Sequence, residues 1–173
     1  LGGAVEKIWF ELGRQFASRG HEVAHVSRKH PKLPEEENIG GVRHVRVAGF
    51  DMPRGVLVLK LMDLAYTWRA LKRLPTADVT VTNTFWAPIL LKRPRAGVIV
   101  VNIQRMPKGQ MRFYRRAERW HAVSSAVSEA ILREQPRESH RIRVIPNPLP
   151  FCAALPPEAS LRGKDKVILY AGR

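Results

Sequence analysis

Apolar and polar positions along the chain repeat with two periods, one typical of helices and one typical of strands. From Val5 to Phe16 apolar residues recur every three or four positions, which predicts an amphipathic helix, and Gly20 supplies a left-handed cap after it. The next residues, 22–27, predict a strand. The stretch RKHPKLPEEENIGG at 28–41 carries two prolines, two glycines and three consecutive glutamates, so an exposed loop is expected there.

A second long helix is predicted between the strand VRHVRVAGF and Pro75. Its apolar residues recur at helical spacing, and we expect the core to receive the stripe formed by Leu57, Leu61, Leu64, Trp68 and Leu71. The other side should face water, because it carries Lys60, Asp63, Thr67 and Lys72. Pro75 closes the segment, since proline has no N–H for a helical hydrogen bond.

Strands and helices continue to alternate in the rest of the chain. Strands are predicted at 79–82 and 98–103 and in WHAVSS and HRIRVIP, and helices in WAPILLKR, QMRFYRRAE and SAVSEAILREQ. Several of the strands are continuous β-branched runs, as in a parallel sheet that helices cover on both faces. The pattern therefore predicts a doubly wound α/β domain.

The composition changes after Pro146. The stretch PNPLPFCAALPPEAS has five prolines in fifteen residues and no periodicity, which indicates a linker. Beyond it, KVILYAGR at 166–173 predicts one more buried strand, followed by a glycine turn. A strand without a following helix does not complete a crossover unit, so we expect it to begin a second domain.

Composition adds a strong positive charge to this picture. The 173 residues include 30 Lys and Arg against 15 Asp and Glu, a formal net charge of +15, so the surface should attract nucleic acid, anionic lipid or phosphorylated small molecules. A single cysteine, Cys152, excludes an intrachain disulfide and fits a reducing cytoplasm. No apolar run reaches the roughly 18 residues of a bilayer span, so any membrane contact is expected to be peripheral.

Ligands of open α/β sheets bind beyond the carboxyl ends of the strands, so the strand-to-helix turns form the expected site. Gly2 and Gly3 precede the first helix, where they either hold a phosphate on bare backbone N–H groups or simply make a tight turn. Asn83 and Thr84 follow the strand at 79–82, where in one interpretation they contact a sugar and in the other Asn83 caps a short helix. The sequence leaves both alternatives open for each pair.

Three further turns carry chemistry suited to anions or hydroxyl groups. Arg105 and Lys108 lie in QRMPKGQ, where they form either an anion site or a solvated basic surface. Ser124 begins a helix, so capping explains it, and a phosphate or sugar contact is the lesser alternative. Arg173 follows Gly172 in a turn that suits a phosphate. Neither a zinc-ligand spacing nor a Ser-His-Asp set is visible.

Taken in order, the segments GGAVEK, LGRQFASRGHEV, VSSAVSEAIL, RVIPNPLP and VILYAGR resemble the N-terminal half of a retaining glycosyltransferase of family 4, an enzyme of the GT-B fold. Such enzymes have two doubly wound, Rossmann-like domains that face each other across a cleft. The resemblance implies an acceptor-side domain at 1–148 without its first strand, an interdomain linker at 149–165 and the first strand of the donor-binding domain at 166–173. It also implies a fragment, truncated at both ends, that does not catalyse transfer by itself.

The resemblance also implies roles for single residues. Gly2 and Gly3 match the glycine loop beneath the acceptor and donor phosphates, Arg173 matches an arginine that contacts the donor diphosphate, and Ser124 lies in a cleft-facing turn. Many members place a histidine near the end of the strand at 98–103, but this chain has an asparagine and a glutamine there, so no histidine role is transferred. We expect the acceptor side of the cleft to be lined by Gly2, Gly3, Asn83, Thr84, Asn102, Arg105, Lys108 and Ser124.

The function implied by the resemblance is transfer of a sugar from a nucleotide-sugar to a cell-envelope glycan or a lipid-linked acceptor. No catalytic residue is named, because the donor-domain glutamates would lie beyond residue 173, and neither a metal nor a separate cofactor is expected. The enzyme would work in the cytoplasm, with peripheral contact to the anionic inner face of the cytoplasmic membrane.

Two other functions are compatible with parts of the sequence. A nucleic-acid-binding module would explain the net charge of +15 and the arginine-aromatic stretch MRFYRRAERW. It is disfavoured because no recognition motif is visible and the basic residues are spread over many elements. A dinucleotide oxidoreductase is disfavoured because the chain lacks a GxGxxG fingerprint with an acidic residue about 20 positions later.

Overall fold

The computed structural model describes residues 4–51, 53 and 55–148 of the chain. Gly2 and Gly3, the linker predicted at 149–165, and the strand predicted at 166–173 with Arg173 lie outside the described residues. What the sequence implies about these segments therefore stays a prediction.

A three-stranded sheet forms the first half of the described fold. Helix α1 (Ala4–Ser18) leads through Gly20, whose φ is +87°, into strand β1 (Val23–Arg28). Both the predicted helix with its left-handed cap and the following strand are thus confirmed. Strand β3 (Val42–Val47) pairs with β1 in parallel, and strand β2 (Glu36–Ile39) pairs with β3 in antiparallel, so the strand order is β1-β3-β2.

The prediction of an exposed loop at 28–41 is wrong where this segment forms β2. Gly40 and Gly41 both have positive φ, 59° and 81°, as a two-residue type I′ hairpin turn requires. The glutamate run also finds partners across the hairpin, because the Glu36 carboxylate lies 3.1 Å from the Arg43 guanidinium. Cross-strand charge pairs of this kind favour a strand that local composition alone does not indicate.

A parallel four-stranded sheet forms the second half of the described fold. Its strands run in one direction in the order β4-β5-β6-β7, which confirms the predicted α/β class with a parallel sheet. The elements follow one another as α2 (Val56–Arg73), β4 (Val79–Thr82), α3 (Ala87–Leu90), α4 (Arg93–Ala96), β5 (Val98–Ile103), β6 (Arg119–Ala122), α5 (Ser125–Glu134) and β7 (Ile142–Val144). Short 3-10 segments lie at Met111–Phe113 and Pro136–Arg141.

The segment QMRFYRRAE does not form the predicted helix. Beyond the 3-10 turn at Met111–Phe113 the chain has no regular structure until β6, and it buries Tyr114 and Ala117. The Glu134 carboxylate at the end of α5 accepts a hydrogen bond from the Met111 N–H. A side chain 23 residues away in the chain thus binds the backbone N–H at the start of this segment.

The two faces of the parallel sheet are covered unequally. On one face Ile99 and Trp120 are fully buried and pack in a core with residues of α5. On the other face Val79, Val81 and Val98 are exposed. Within the described part of the chain, the predicted helical cover is therefore complete on one face and partial on the other. None of the described helices combines the length and hydropathy of a membrane span.

Helix α2 turns part of its polar side inward. Thr67 is buried, whereas Leu57, Leu61 and Trp68 are exposed. The prediction that the apolar stripe faces the core is therefore wrong for these three residues, although Leu71 does pack against the core.

Contacts with the turn after β4 explain this orientation of α2. Trp86 Nε1 donates a hydrogen bond of 3.0 Å to the Lys60 carbonyl oxygen. The Lys60 ammonium lies 3.5 Å from the centroid of the Phe85 ring, a cation–π contact. Both contacts fix the rotation of α2 about its axis. The spacing of apolar residues in the helix does not indicate either contact.

Candidate functional site

The expected site lies at the carboxyl edge of the parallel sheet. Strands β4, β5 and β6 run in one direction, with Thr82 beside Val101 and Ile103 beside Ala122. The turns that follow these strands therefore open at the same edge, which we call the carboxyl edge. The expected site residues in those turns and at the ends of those strands are Asn83, Thr84, Asn102, Arg105 and Ser124.

Asn102 is the most buried of the expected site residues that the structure describes. It is 3% exposed, and its Oδ1 has no hydrogen-bond partner among the described residues. His121 is its register partner on β6, so the two side chains lie side by side on one face of the sheet. A buried amide oxygen without a donor is costly. A ligand hydroxyl or N–H group would therefore be stabilising at this position.

A reciprocal pair of amides extends the carboxyl edge. Gln104 Nε2 donates to Asn147 Oδ1 at 3.1 Å, and Asn147 Nδ2 donates to Gln104 Oε1 at 2.7 Å. Asn147 is exposed and Gln104 is half-buried. Because each amide keeps further donor and acceptor capacity, the pair can still bind a ligand that both donates and accepts.

A histidine also joins the chain after β7 to this edge. His121 Nε2 lies 2.6 Å from the Ile145 carbonyl oxygen. A carbonyl accepts but does not donate, so this contact assigns the hydrogen to Nε2 and leaves Nδ1 as an acceptor in the neutral ring.

The turn after β4 is held by a threonine. Thr84 Oγ1 accepts a hydrogen bond of 3.2 Å from the Ala87 N–H and lies 3.3 Å from Thr82 Oγ1. Thr84 Oγ1 therefore satisfies the first N–H of α3, whereas the sequence offered Asn83 as the cap. Asn83 itself is exposed at the carboxyl edge.

Ser124 is the N-cap of α5. Its Oγ accepts a hydrogen bond of 3.3 Å from the Val127 N–H, and its backbone is extended, so the predicted capping role is confirmed. Because α5 directly follows β6, its N-terminal end, which carries partial positive charge, lies at the carboxyl edge.

The two basic residues of QRMPKGQ lie in different places. Arg105 is exposed two positions after β5, at the carboxyl edge. The Gly109 N–H, next to Lys108, donates a hydrogen bond of 2.5 Å to the Glu134 carboxylate. Helix α5 begins at the carboxyl edge and ends at Glu134, about 15 Å away at 1.5 Å per residue. The structure therefore places Lys108 near the far end of α5, apart from the other expected site residues.

Three residues of the carboxyl edge were not among those expected: Gln104, His121 and Asn147. The signal that could have found His121 is strand register, since a residue opposite Asn102 shares its face. Gln104 and Asn147 are 43 positions apart in the chain, and no spacing rule connects them.

Burial controls the titration of the groups next to this site. Burial raises the pKa of the Tyr114 hydroxyl to about 12, and the nearby Asp63 and Glu134 carboxylates add to the effect. Burial also raises the pKa of the Asp63 carboxyl, and the Lys60 ammonium partly offsets this. The Tyr114 ring lies 6.4 Å from the Phe85 ring of the β4 turn. Tyr114 is therefore protonated at neutral pH and does not act as a base there.

A surface depression lies at the opposite edge of the sheet, and its polar residues have structural roles. It is lined partly by Asp78, Arg93, Gly97 and Glu118. The Glu118 carboxylate accepts a hydrogen bond of 2.7 Å from the Ile99 N–H and pairs with Arg93 at 2.7 Å. A Cβ at Gly97 would lie 2.0 Å from the Asp78 carbonyl oxygen, so only glycine fits this close approach. These polar groups hold the start of β5 in place.

A search for metal ligands and two comparisons with known proteins complete the description of the site. Within the ranges 4–51 and 55–148, no three or more His, Cys, Asp and Glu side chains are grouped as metal ligands. A protein-family model described as Glycosyltransferase Family 4 matches residues 2–150, a range that includes all the residues named above at the carboxyl edge. A comparison with curated protein sequences gives no match.

Proposed function

The chain belongs to glycosyltransferase family 4, and we propose that it forms the acceptor-binding side of an enzyme that transfers a sugar from a nucleotide-sugar to a cell-envelope glycan or lipid-linked acceptor. The proposal includes retention of configuration at the anomeric carbon. The nucleotide-sugar is a substrate in this proposal, which invokes no separate cofactor. We assign the donor to a second domain across the cleft, with Arg173 at its diphosphate.

The observation that carries the proposal is the row of amides at the carboxyl edge. Asn102 offers a buried Oδ1 without a partner among the described residues, and Gln104 and Asn147 hold each other beside it. Sugar hydroxyls both donate and accept hydrogen bonds, and amides have the same dual capacity. The edge therefore suits a polyhydroxyl ligand better than an apolar one.

Charged groups complete the recognition of the substrates. Arg105 supplies an exposed guanidinium at the carboxyl edge, and the N-terminus of α5 behind Ser124 supplies partial positive charge. Both suit a phosphate on the acceptor or the donor. We include Gly2 and Gly3 on the same side of the cleft, as backbone donors to phosphate.

The proposed mechanism divides the work between the two sides of the cleft. The amides of the carboxyl edge hold the acceptor so that one hydroxyl faces the anomeric carbon of the donor sugar. His121 Nε2 donates its hydrogen to the Ile145 carbonyl oxygen. In this proposal Nδ1 therefore accepts a hydrogen bond from a hydroxyl group of the acceptor substrate. Cations on the donor side stabilise the diphosphate as it leaves.

The nucleic-acid alternative loses support from the contacts of the stretch MRFYRRAERW. Tyr114 and Trp120 are buried, so neither ring is available for stacking with a base. Arg116 donates a hydrogen bond of 2.9 Å to the Ile89 carbonyl oxygen. Tyr114, Trp120 and Arg116 therefore serve the fold.

The test measures acceptor binding in the full-length enzyme. UDP- and GDP-linked hexoses labelled in the sugar are incubated with the enzyme and a bacterial envelope lipid extract, and transfer to the extract is counted. We expect Asn102→Ala to lower kcat/KM for the acceptor about tenfold, because it removes two hydrogen-bonding groups from the site, and to leave the KM for the donor unchanged.

Asn38→Ala is the matched control, because Asn38 is an exposed asparagine on β2, and it should leave both constants unchanged. The proposal is wrong if Asn102→Ala alters only the KM for the donor. It is also wrong if the wild-type enzyme transfers no sugar but binds RNA or DNA tightly with strong salt dependence.

A further inference from the structure

Helix α2 presents several large apolar side chains to solvent. Leu57 is 74% exposed, Leu61 59% and Trp68 58%. These residues lie four and seven positions apart, so they share one side of the helix over about 16 Å. Val56 and Val58 extend the exposed apolar area at the start of the helix. We call Val56, Leu57, Val58, Leu61 and Trp68 the α2 patch.

The exposed charged side chains of α2 nearest to Trp68 are basic. The Lys72 ammonium lies 5.2 Å from the centroid of the Trp68 ring, and Arg69 is exposed one position after Trp68. The single acidic residue of α2 is Asp63, and it lies half-buried on the inner side of the helix. The described surface of α2 therefore combines apolar side chains with cations and exposes no prominent acidic group.

We propose that the α2 patch docks on the surface of a bilayer rich in anionic phospholipid. Apolar side chains enter the boundary between headgroups and acyl chains, while Arg69 and Lys72 remain at the level of the phosphates. Tryptophan suits this depth, because its ring is apolar and its N–H is polar. The net charge of +15 favours lipid over a second copy of the chain, since two copies would bring like charges together.

The position of the patch connects docking with the carboxyl edge. Lys60 lies between Leu57 and Leu61, and it contacts both Phe85 and Trp86 of the turn after β4. The start of α2 is therefore fixed next to the carboxyl edge. Docking would hold that edge at the membrane surface, where a lipid-linked acceptor resides. This consequence rests on the proposed function, whereas docking itself does not.

The experiment measures vesicle binding by the full-length protein without any sugar substrate, so its result is independent of transfer activity. Sedimentation compares vesicles of phosphatidylcholine with vesicles that contain about one third phosphatidylglycerol. We expect binding to the anionic vesicles only, with a decrease at high salt. The double variant Leu57→Glu/Leu61→Glu should lower the binding constant at least tenfold, because it replaces apolar contacts with repelled charges.

The matched control places the same charges on other exposed apolar residues. Phe16 is 41% exposed and Leu33 44%, and both lie in the first half of the chain. Phe16→Glu/Leu33→Glu should retain at least half of the wild-type binding constant. An equal loss in both double variants would overturn the proposal, because it would show that net charge alone governs binding.

A second measurement does not depend on disruptive variants. Phospholipids brominated on the acyl chain quench a tryptophan that enters the bilayer. Trp68→Phe keeps the apolar bulk and should remove most of the quenching, whereas Trp9→Phe on α1 should not. Quenching that persists in Trp68→Phe would overturn the proposal. A second outcome would also overturn the proposal: the wild type forms a dimer and does not bind vesicles, and Leu57→Glu/Leu61→Glu dissociates that dimer.

Discussion

The interiors of the two sheets differ in chemistry. The parallel sheet β4–β7 carries a cluster of fourteen buried apolar residues, all between Ala87 and Ile142. The smaller sheet β1–β3 buries His44 and Arg46 among Val42, Val45 and Val47. The large sheet thus owes its stability to the removal of apolar area from water, whereas the small sheet also depends on polar groups that must find partners.

The polar interior of the small sheet is held by specific contacts. The Arg46 guanidinium pairs with the Glu37 carboxylate of β2 and donates a hydrogen bond of 2.8 Å to the Pro34 carbonyl oxygen. The His25 and His44 rings lie edge to face, with centroids 5.3 Å apart. Apolar contacts are not directional, whereas the ion pair and hydrogen bonds of buried polar side chains need a defined geometry. The two halves should therefore respond differently to mutation and to pH.

The largest effect is expected in the apolar core. Trp120→Ala should lower the free energy of unfolding by about 3–5 kcal/mol, because it leaves a cavity where a ring is 1% exposed. Urea denaturation followed by circular dichroism measures this loss. Trp68→Ala on the exposed side of α2 is the control and should cost less than about 1 kcal/mol. Similar losses for the two variants would contradict the assignment of the core to the large sheet.

An intermediate effect is expected from the ion pair of the small sheet. Glu37→Gln should lower the free energy of unfolding by about 2–3 kcal/mol, because Arg46, with a side chain 7% exposed, would lose its counter-charge. Hydrogen exchange should show the loss chiefly as weaker protection of β3. Glu35→Gln, which breaks only the exposed pair with Lys29, should leave protection of β3 unchanged. Equal protection of β3 in Glu37→Gln and the wild type would refute this role.

The smallest effect is a pH dependence that belongs to the small sheet. Burial lowers the pKa of His44 below its ordinary 6.5, and the Arg46 charge adds to the shift. Burial also lowers the pKa of His25, with His44 and Arg46 contributing. Below pH 6.5 the unfolded chain therefore binds more protons than the folded chain does. This part of the stability is complete above pH 6.5 and is lost as the pH falls through the lower, folded pKa values.

We expect the free energy of unfolding to decrease between pH 7.5 and pH 5.5, and His44→Gln should reduce the slope. Urea denaturation at several pH values measures both. His30→Gln, at an exposed position in the loop before β2, is the control and should leave the slope unchanged. A wild-type stability that rises as the pH falls through this range would show that the two rings are not held neutral.

The fold was predictable wherever the residues within one helix or strand indicate its structure by themselves. The β-branched runs at 79–82 and 98–103 form β4 and β5 with the predicted bounds, because β-branched residues favour strands. Strand β2 was not predictable, since its glutamates acquire partners only when β3 lies beside them. The orientation of α2 was not predictable either, since Lys60 and Trp86 meet 26 positions apart.

The candidate site divides in the same way. The rule that ligands bind at the carboxyl ends of parallel strands located the turns of Asn83 and Ser124, and the cap geometry of Ser124 follows from its place before a helix. The rule did not locate His121, which needs strand register, and it did not separate Arg105 from Lys108.

The amino-acid sequence by itself determined the order of strands and helices, the α/β class, the family and the edge where ligands should bind. Each of these depends on periodicity or on contacts close in the chain. Only the tertiary structure decided which polar groups share that edge, that Asn102 is buried beside His121, and that Leu57, Leu61 and Trp68 of α2 lie in solvent. These features arise from contacts between residues far apart in the chain, and such contacts exist only when the sheets and helices are assembled.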